Sequence, residues 1–560
     1  MVHAPRKGES IIKVHDSDGK LIPQVKTRRL LGVIVDEELN FKDHISFIAG
    51  RATSALHGIA PIISHTPWET ALAICKALVT SHITRTYPVW CHAKASISAL
   101  EQVHRGILMK STKLMAGTST NALEVLTGTP PLDLALSEVL CQEITRLQAH
   151  STDFPLLKLV MQQSQNKEYL TSGVHSPLHT MLRTVNDLEL QLTSIESFPV
   201  ASAYHSLNLK RPIVHEGPVV GKPKKDWTER EKIEASIHVL KEVLDVPDNC
   251  SIAFTDGSAL GNPGPCGGAA LIYMEGLDGP QLKIMTAGSK EGSSYYGELL
   301  GLRAALMTIA LEAVIPPKEA HVFIDCTSVI SVAAGTSDAT GHYETVEDIH
   351  NLVDFLENRQ CRVHLHWSPS HIGISLNEEV DTLAKEAAEM AKIMTEEEMA
   401  TCKWTIKQAR KAITKAVDER WQRRWNRDYC KTRSFIPRVN RHVKLRLPRQ
   451  AEVARAGCIS GHNRLADHLY KLKLKESPNC PCGTDRQSPE HVVMHCPLHQ
   501  TSRDIMMSKV EKAFIFNNVP PHYRSLTFKD ILVPNYDAAT NSIVSAAMTE
   551  FFLSCRGVNF

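Results

Sequence analysis

The stretch Thr255–Tyr273, which reads TDGSALGNPGPCGGAALIY, constrains the fold more than any other part of the chain. The apolar run Ser251–Phe254 predicts a short strand, and the glycines and prolines of residues 257–265 predict a tight turn from which a second strand returns. Asp256 therefore lies at a strand end, where its carboxylate is presented rather than buried. An Asp ahead of a glycine-rich turn often serves turn geometry alone, so a catalytic interpretation depends on the segments that follow.

Three further carboxylates occur where predicted elements begin or end. Glu298 lies in the second turn of a predicted helix over 293–314, Asp325 ends the apolar run Val322–Ile324, and Asp381 lies near the start of another helix. Strand ends expose the chemistry of an α/β sheet, and short connections bring successive elements together. Four acids in one pocket repel one another unless divalent cations neutralise them, and oxygen-only ligation favours Mg²⁺ or Mn²⁺. The pattern predicts a two-metal phosphodiesterase site, with ions about 4 Å apart.

Residues from about 250 to 392 resemble a type 1 ribonuclease H. Four segments follow the order and spacing of that family: TDGSALGNPGPCGG, GELLGLRAAL, FIDCTSV and HIGISLNEEVDTLAKEAA. The resemblance implies a mixed five-stranded sheet with flanking helices, and an enzyme that cuts the RNA strand of RNA–DNA hybrids. It also implies two Mg²⁺ ions as cofactors, with Mn²⁺ as an alternative.

The same resemblance implies roles for single residues. Asp256 bridges the two ions, Glu298 and Asp325 complete one, and Asp381 completes the other. His371, on a mobile loop, assists proton movement or product release, against the alternative of an ordinary solvent-facing histidine. The catalytic residues implied are Asp256, Glu298, Asp325, Asp381 and His371, and those implied to contact substrate are Ser258, Asn262 and Asn377.

Two other interpretations stay open. A catalytically silent retroelement remnant would bind nucleic acid without cutting it, and salt-sensitive binding without Mg²⁺-dependent cleavage would identify it. A DNA exonuclease or resolvase of the same fold would differ in substrate, because recognition of a hybrid depends on the 2′-hydroxyls of one strand.

Charge is divided unevenly along the chain. Residues 250–392 hold 8 Lys and Arg against 19 Asp and Glu, whereas residues 401–475 hold 21 against 5, in a chain whose formal net charge is +2. Such asymmetry indicates a polyanionic partner, so we expect the basic segment to bind nucleic acid, single strands included. Its cations are interleaved with Trp404, Trp421, Trp425 and Tyr429. These aromatic side chains either stack on bases or pack inward along an amphipathic helix.

A cysteine- and histidine-rich segment, NCPCGTDRQSPEHVVMHCP, follows the basic one. Three thiolates and an imidazole suit a closed tetrahedral Zn²⁺ site, and the segment resembles the zinc-binding region downstream of non-LTR retrotransposon reverse transcriptases. The predicted ligands are Cys480, Cys482, His491 and Cys496. His495 and His499 are alternative ligands, and a reduced thiol cluster without metal is the competing interpretation.

The first part of the chain carries a further resemblance to the same elements. Lys26–Ile45 and Thr84–Trp90 are similar to the segment after the reverse transcriptase palm. No aromatic-x-Asp-Asp sequence occurs, so we expect the palm, and with it polymerisation, to be absent. The acidic run at residues 36–38 is interpreted as a turn between a strand and a helix.

Together these features predict a multidomain α/β protein with a central ribonuclease H-like fold. No apolar run approaches the roughly 20 residues of a membrane helix, so no membrane partner is expected. Scattered cysteines favour an intracellular compartment, nuclear or cytoplasmic, and no oligomeric state is predicted. The predicted parts are a mostly helical reverse transcriptase thumb-like remnant (1–160), a linker with a helix near its end (161–247), the ribonuclease H domain (248–395), a basic helical nucleic-acid-binding segment (396–475), a zinc-binding segment (476–500) and a C-terminal tail (501–560).

Overall fold

In a computed structural model, the chain divides into two units. The structure describes residues 15, 17–21, 25–93, 96–149, 176–190, 195–196, 209–217, 226–312, 317–395, 398, 403–441, 447–520, 524, 526–555, 558 and 560. The split unit comprises residues 1–143, 167–190 and 413–560, and the sheet unit comprises residues 144–166 and 191–412.

The N-terminal part of the split unit is a helical array that follows one β-hairpin. β1 (Thr27–Leu30) pairs antiparallel with β2 (Val33–Asp36). The Asp36 carboxylate then accepts hydrogen bonds from the backbone N–H groups of Asn40 (3.0 Å) and Phe41 (2.7 Å), which confirms the predicted turn. The helices that follow are α1 (Lys42–Ile63), α2 (Trp68–Cys75), α3 (Ser81–Thr84), α4 (Tyr87–Trp90), α5 (Ser98–Thr112), α6 (Thr120–Thr127), α7 (Leu132–Gln148) and α8 (Pro177–Asp187), with a π-helical turn at Lys76–Thr80.

The sheet unit contains both strands and helices. In chain order they are β3 (Ile213–His215), α9 (Glu229–Leu244), β4 (Ser251–Ala259), β5 (Gly264–Tyr273), β6 (Gln281–Gly292), α10 (Ser294–Glu312), β7 (Glu319–Ile324), α11 (Thr327–Ala333), α12 (Tyr343–Asn358), β8 (Arg362–Trp367) and α13 (Ser375–Lys392). The strands form one mixed sheet in the order β3–β8–β7–β4–β5–β6. The sheet has six strands instead of the five expected, because residues 213–215, inside the predicted linker range, pair in parallel with β8.

Helices cover both faces of this sheet. Ile252 and Phe254 of β4 pack with residues of α9 and α13, whereas Ala253 packs with residues of α10 and α12. Successive residues of a strand point to opposite faces, so the continuous apolar run of β4 is the pattern of a strand buried on both sides. The parallel pairing of β4 with β7 ends at Thr255 and Ile324, whereas β4 itself continues to Ala259, so Asp256 lies within the strand and not at its end as predicted.

The described C-terminal residues are helical. Their core includes residues from both ends of the chain: Trp68 and Leu123 belong to the same buried cluster as Ile459, Phe514 and Phe551. None of the described helices combines the length and apolar character needed to cross a bilayer. The helices are α14 (Ile406–Trp425), α15 (Lys431–Phe435), α16 (Arg449–Ser460), α17 (Ala466–Lys471), α18 (Gln500–Phe516), α19 (Phe528–Leu532) and α20 (Ala538–Ser554), with a π-helical turn at His491–His495 and a 3₁₀ turn at Pro497–His499.

Candidate active site

The four acids singled out in the sequence line one cavity of about 270 Å³. The sheet register pairs Thr255 of β4 with Ile324 of β7, so the next residues of these parallel strands, Asp256 and Asp325, are neighbours. Glu298 reaches the same cavity from α10. One oxygen from each of these three acids lies within 4.8 Å of the other two, a spacing that allows them to share a cation.

A close approach of α10 to the sheet carries Glu298 into the cavity. A Cβ atom placed on Gly257 would lie 1.9 Å from the backbone nitrogen of Glu298, and one placed on Gly297 would lie 2.4 Å from the backbone oxygen of Gly267. Only glycine, which has no Cβ, fits in such contacts. The sequence interpretation assigned the glycine after Asp256 to the turn alone and missed this packing role, although a glycine stands beside each of the two acids.

Burial makes the charged state of this cluster costly. Glu298 is 6% exposed, and its Oε2 atom has no hydrogen-bond partner within the described part of the chain. Burial, and then the charge of Asp325, raises the pKa of Asp256 to about 7. Burial and the charges of Asp325 and Asp256 raise the pKa of Glu298 well above its usual value. Carboxylates that share a site without a counter-ion shift in this direction, and an oxygen-only donor set fits Mg²⁺.

Asp381 lines the cavity from α13 but is not in the group of three closely spaced acids. Its Oδ2 atom accepts a hydrogen bond from Nζ of Lys385, one helical turn away, at 2.6 Å. The sequence interpretation did not include Lys385. Because the Lys385 side chain is 58% exposed, the ion pair is weak and leaves the carboxylate available to a cation.

Two of the other predicted site residues reach the cavity and two do not line it. His371 is exposed at the rim in the left-handed conformation, with φ of 51°. Asn377 lines the wall and donates a hydrogen bond from Nδ2 to Oγ of Ser368. Ser258 is half-buried in β4, and Asn262 is exposed in the turn after it. Contact of these two residues with substrate stays a prediction.

The aromatic residues of the basic segment occupy different environments. Trp421 and Trp425 of α14 are each 2% exposed, and Nε1 of Trp425 donates to the backbone oxygen of Ile436 at 2.8 Å. These two side chains pack inward, as the amphipathic-helix interpretation predicts. Tyr429 is 95% exposed, with the Arg433 guanidinium 5.9 Å from its ring centre, and it is available for stacking.

The four predicted zinc ligands lie together in the split unit. Sγ of Cys480 is 3.7 Å from Sγ of Cys496, Sγ of Cys482 is 3.2 Å from Nε2 of His491, and all four ligand atoms lie within 4.8 Å of one another. Zn–S bonds of about 2.3 Å at tetrahedral angles place two sulfurs about 3.8 Å apart, so this spacing suits zinc. The alternative ligand His495 is exposed and is not in the group.

Comparison with known proteins finds similarity in the central part of the chain. Residues 248–389 match the RNase H family model. A 115 kDa protein of the type-1 retrotransposable element R1DM of Drosophila melanogaster is 31% identical over 124 residues, which are 21% of this chain and only 12% of that protein. The ribonuclease H of Erythrobacter litoralis is 33% identical over 147 residues, which are 24% of this chain and 94% of that enzyme. The solved ribonuclease H1 of the archaeon Halobacterium salinarum is 22% identical with a TM-score of 0.21, over 25% of this chain and 99% of that one. Through its central domain, the chain belongs to the ribonuclease H family, whose members hydrolyse the RNA of RNA–DNA hybrids.

Proposed function

We propose that the chain is an endonuclease that hydrolyses the RNA strand of RNA–DNA hybrids with two Mg²⁺ ions, or Mn²⁺ in their place, and that it derives from a non-LTR retrotransposon. The observation that carries the activity is the single cavity lined by Asp256, Glu298, Asp325 and Asp381. The similarity to part of the R1DM protein supports the origin.

The residues of the cavity have different roles in the proposed reaction. Asp256, Glu298 and Asp325 would hold one ion, and Asp256 with Asp381 the other. When bound, two such ions activate a water molecule and stabilise the leaving oxygen of an in-line displacement. His371, exposed at the rim, is placed to deliver a proton at that leaving oxygen. An imidazole suits this task because it can both accept and donate a proton.

Substrate contacts are proposed on both sides of the cavity. Asn377 lines the cavity wall, and Ser258 and Asn262 lie on the hairpin formed by β4 and β5. These side chains offer neutral hydrogen bonds to a nucleic-acid backbone. Because residues 250–392 are strongly acidic, we assign the charge-based binding of the polyanion to the basic residues 401–475.

For the cysteine cluster we propose a structural Zn²⁺. The support is the set of three sulfurs and one imidazole nitrogen at a mutual spacing that suits tetrahedral coordination. Cys480, His491 and Cys496 are buried and Cys482 is half-buried, and four protein ligands would leave no open coordination position for a reacting substrate. A closed site of this kind contributes folding free energy rather than catalysis.

Cleavage of a labelled hybrid by the full chain tests the proposed activity. With Mg²⁺ we expect the RNA strand alone to be cut, and with EDTA we expect no cutting. Asp256→Asn should abolish cleavage and leave hybrid binding nearly unchanged. Asp278→Asn serves as the matched control, because Asp278 is an exposed carboxylate in the turn between β5 and β6.

Each of the other possible outcomes would indicate a different function. Salt-sensitive binding of the hybrid without Mg²⁺-dependent cleavage would show a catalytically silent binding protein. Equal cutting of duplex DNA would show a DNA nuclease of the same fold. Full activity of Asp256→Asn would refute the carboxylate site itself.

A further inference from the structure

A second group of metal-ligating side chains lies in the sheet unit, separate from the carboxylate cavity. His364 and His366 alternate along β8 and therefore point to the same face of the sheet. His215 of β3 is the register partner of His366, which places a third imidazole on that face. One nitrogen from each of the three rings lies within 4.8 Å of the other two.

The contacts within this histidine cluster leave ligand atoms available. Nε2 of His215 lies 2.9 Å from Nδ1 of His364, and the His215 ring stacks on the His366 ring with centroids 4.1 Å apart. Nε2 of His364 is buried and has no hydrogen-bond partner within the described residues. Burial lowers the pKa of His364 to about 4 and also lowers that of His366. The lowered pKa values keep the rings of His364 and His366 neutral at pH 7, which is the form that binds metals.

A chain of hydrogen-bonding contacts supports the buried ring of His366. Its Nε2 lies 3.0 Å from Nδ1 of His321, and Nε2 of His321 lies 3.1 Å from Oε2 of Glu319. Its buried Nδ1 lies 3.4 Å from Oε1 of Glu242 but makes no hydrogen bond within the described residues, so this nitrogen is available as a ligand. Carboxylates behind imidazoles are the arrangement that orients histidines in metal sites. The Glu242 carboxylate lies beside the unpartnered Nδ1, where its negative charge would favour a bound cation.

We propose that His215, His364 and His366 bind a divalent transition-metal ion of the zinc class, and that this ion fastens β3 to the ribonuclease H sheet. Three imidazole nitrogens with a fourth position for water or a carboxylate form a common zinc donor set. One of the two stacked rings turns on binding, because a ligated ion lies in the plane of each imidazole.

The strand that the ion would fasten has few other attachments. β3 is three residues long, and its other two side chains, Ile213 and Val214, are 37% and 40% exposed. Their burial therefore contributes little of the free energy that holds this edge strand in place. A metal ligand on β3 would convert a weak strand pairing into a cross-link between residues far apart in the sequence.

Titration with Co²⁺, monitored by its visible absorption, tests the proposal. The full chain carries Cys480→Ser and Cys496→Ser to remove the thiolate site, and excess Mg²⁺ occupies the carboxylates. We expect one Co²⁺ per chain, bound at least about tenfold more weakly after His215→Gln. Val214→Thr, on the same strand but the opposite face, should bind like the parent.

Two further measurements keep the test independent of the cysteine substitutions. In the unsubstituted chain, His215→Gln should lower the bound zinc content by one ion per chain. Zinc should also slow hydrogen exchange at residues 213–217 in the parent and in Val214→Thr, and not in His215→Gln. Unchanged metal content and exchange after both His215→Gln and His366→Gln would overturn the proposal and leave the cluster as packed neutral histidines.

Discussion

The carboxylate cavity and the cysteine cluster both gather four ligating side chains, by opposite means. The four acids come from four separate elements of the sheet unit and meet only because the fold brings those elements together. The cysteine cluster comes from one short stretch, residues 480–496. A catalytic site assembled at long range depends on the sheet, whereas a site assembled locally stabilises the loop that carries it.

The two sites also differ in how they affect stability without metal. Burial and mutual repulsion raise the pKa of Asp256 and Glu298, so their charged forms oppose folding. At the cysteine cluster the sulfur and nitrogen atoms already make polar contacts with one another. Removing a ligand should therefore have opposite effects on stability at the two sites.

The largest expected effect is on catalysis at the carboxylate site. Glu298→Gln should lower hybrid cleavage by more than about 100-fold, since it removes one of the charges that hold the metals. The same change should raise the melting temperature of the metal-free protein near neutral pH, because Gln is buried without the proton uptake that the raised pKa of Glu298 demands. Cleavage assays and thermal unfolding in EDTA measure the two effects. A melting temperature that falls with the activity would show that Glu298 stabilises the fold, and the contrast between the sites would fail.

At the cysteine cluster, loss of one ligand should destabilise. Zinc in small zinc-binding peptides contributes roughly 10 kcal/mol of binding free energy, so Cys496→Ser should cost several kcal/mol of unfolding free energy in the split unit. Denaturant unfolding with and without a chelator measures this cost. The half-buried Cys430 lies outside the cluster, and Cys430→Ser is the matched control. If the chelator destabilises Cys496→Ser as much as the parent, zinc is held elsewhere.

The stability of the metal-free protein should depend on pH through the titration of Asp256. Its folded-state pKa of about 7 lies above the ordinary value of 3.8, so protonation favours the folded state. This stabilisation is complete below about pH 4 and is lost as the pH rises through 7, at most about 4 kcal/mol. Thermal unfolding in EDTA between about pH 5 and pH 8 measures the slope, and saturating Mg²⁺ should reverse it.

The variant Asp256→Asn separates the contribution of Asp256 to the pH dependence of stability from the contributions of other titrating groups. Subtracting the curve of Asp256→Asn isolates one carboxylate from the buried histidines, whose lowered pKa values act with the opposite sign. Equal slopes in the parent and the variant would show that Asp256 is ionised at neutral pH without metal.

The smallest expected effect concerns the basic segment. Tyr429→Ala should weaken binding to single-stranded RNA by about 1 kcal/mol, roughly fivefold, because stacking on an exposed ring is lost. Binding titrations at fixed salt concentration measure this loss of affinity. The neighbouring Thr432 is buried, so a substitution there would disturb the fold and is not a suitable control. Lys431→Gln, a change of charge nearby, should instead reduce the salt dependence of binding. Unchanged affinity in Tyr429→Ala would assign the binding to charge alone.

The sequence predicted those features that depend on local patterns. Apolar runs that end at Asp256 and Asp325 are visible in a single stretch, and so is the ligand spacing of the cysteine cluster. β3 could not be predicted, because three half-exposed residues have no periodicity and gain their pairing only from β8. The histidine cluster was missed for the same reason, since His215 and His366 become neighbours only through that pairing.

The shared core of the two chain ends has a consequence for the order of events during synthesis. Trp68 and Leu123 emerge from the ribosome long before Phe514 and Phe551, their companions in one buried cluster, and every residue of the ribonuclease H domain emerges in between. Domains fold largely as units while the chain lengthens. The ribonuclease H domain can therefore complete its sheet while Trp68 and Leu123 still expose apolar surface, because their partners Phe514 and Phe551 are synthesised last.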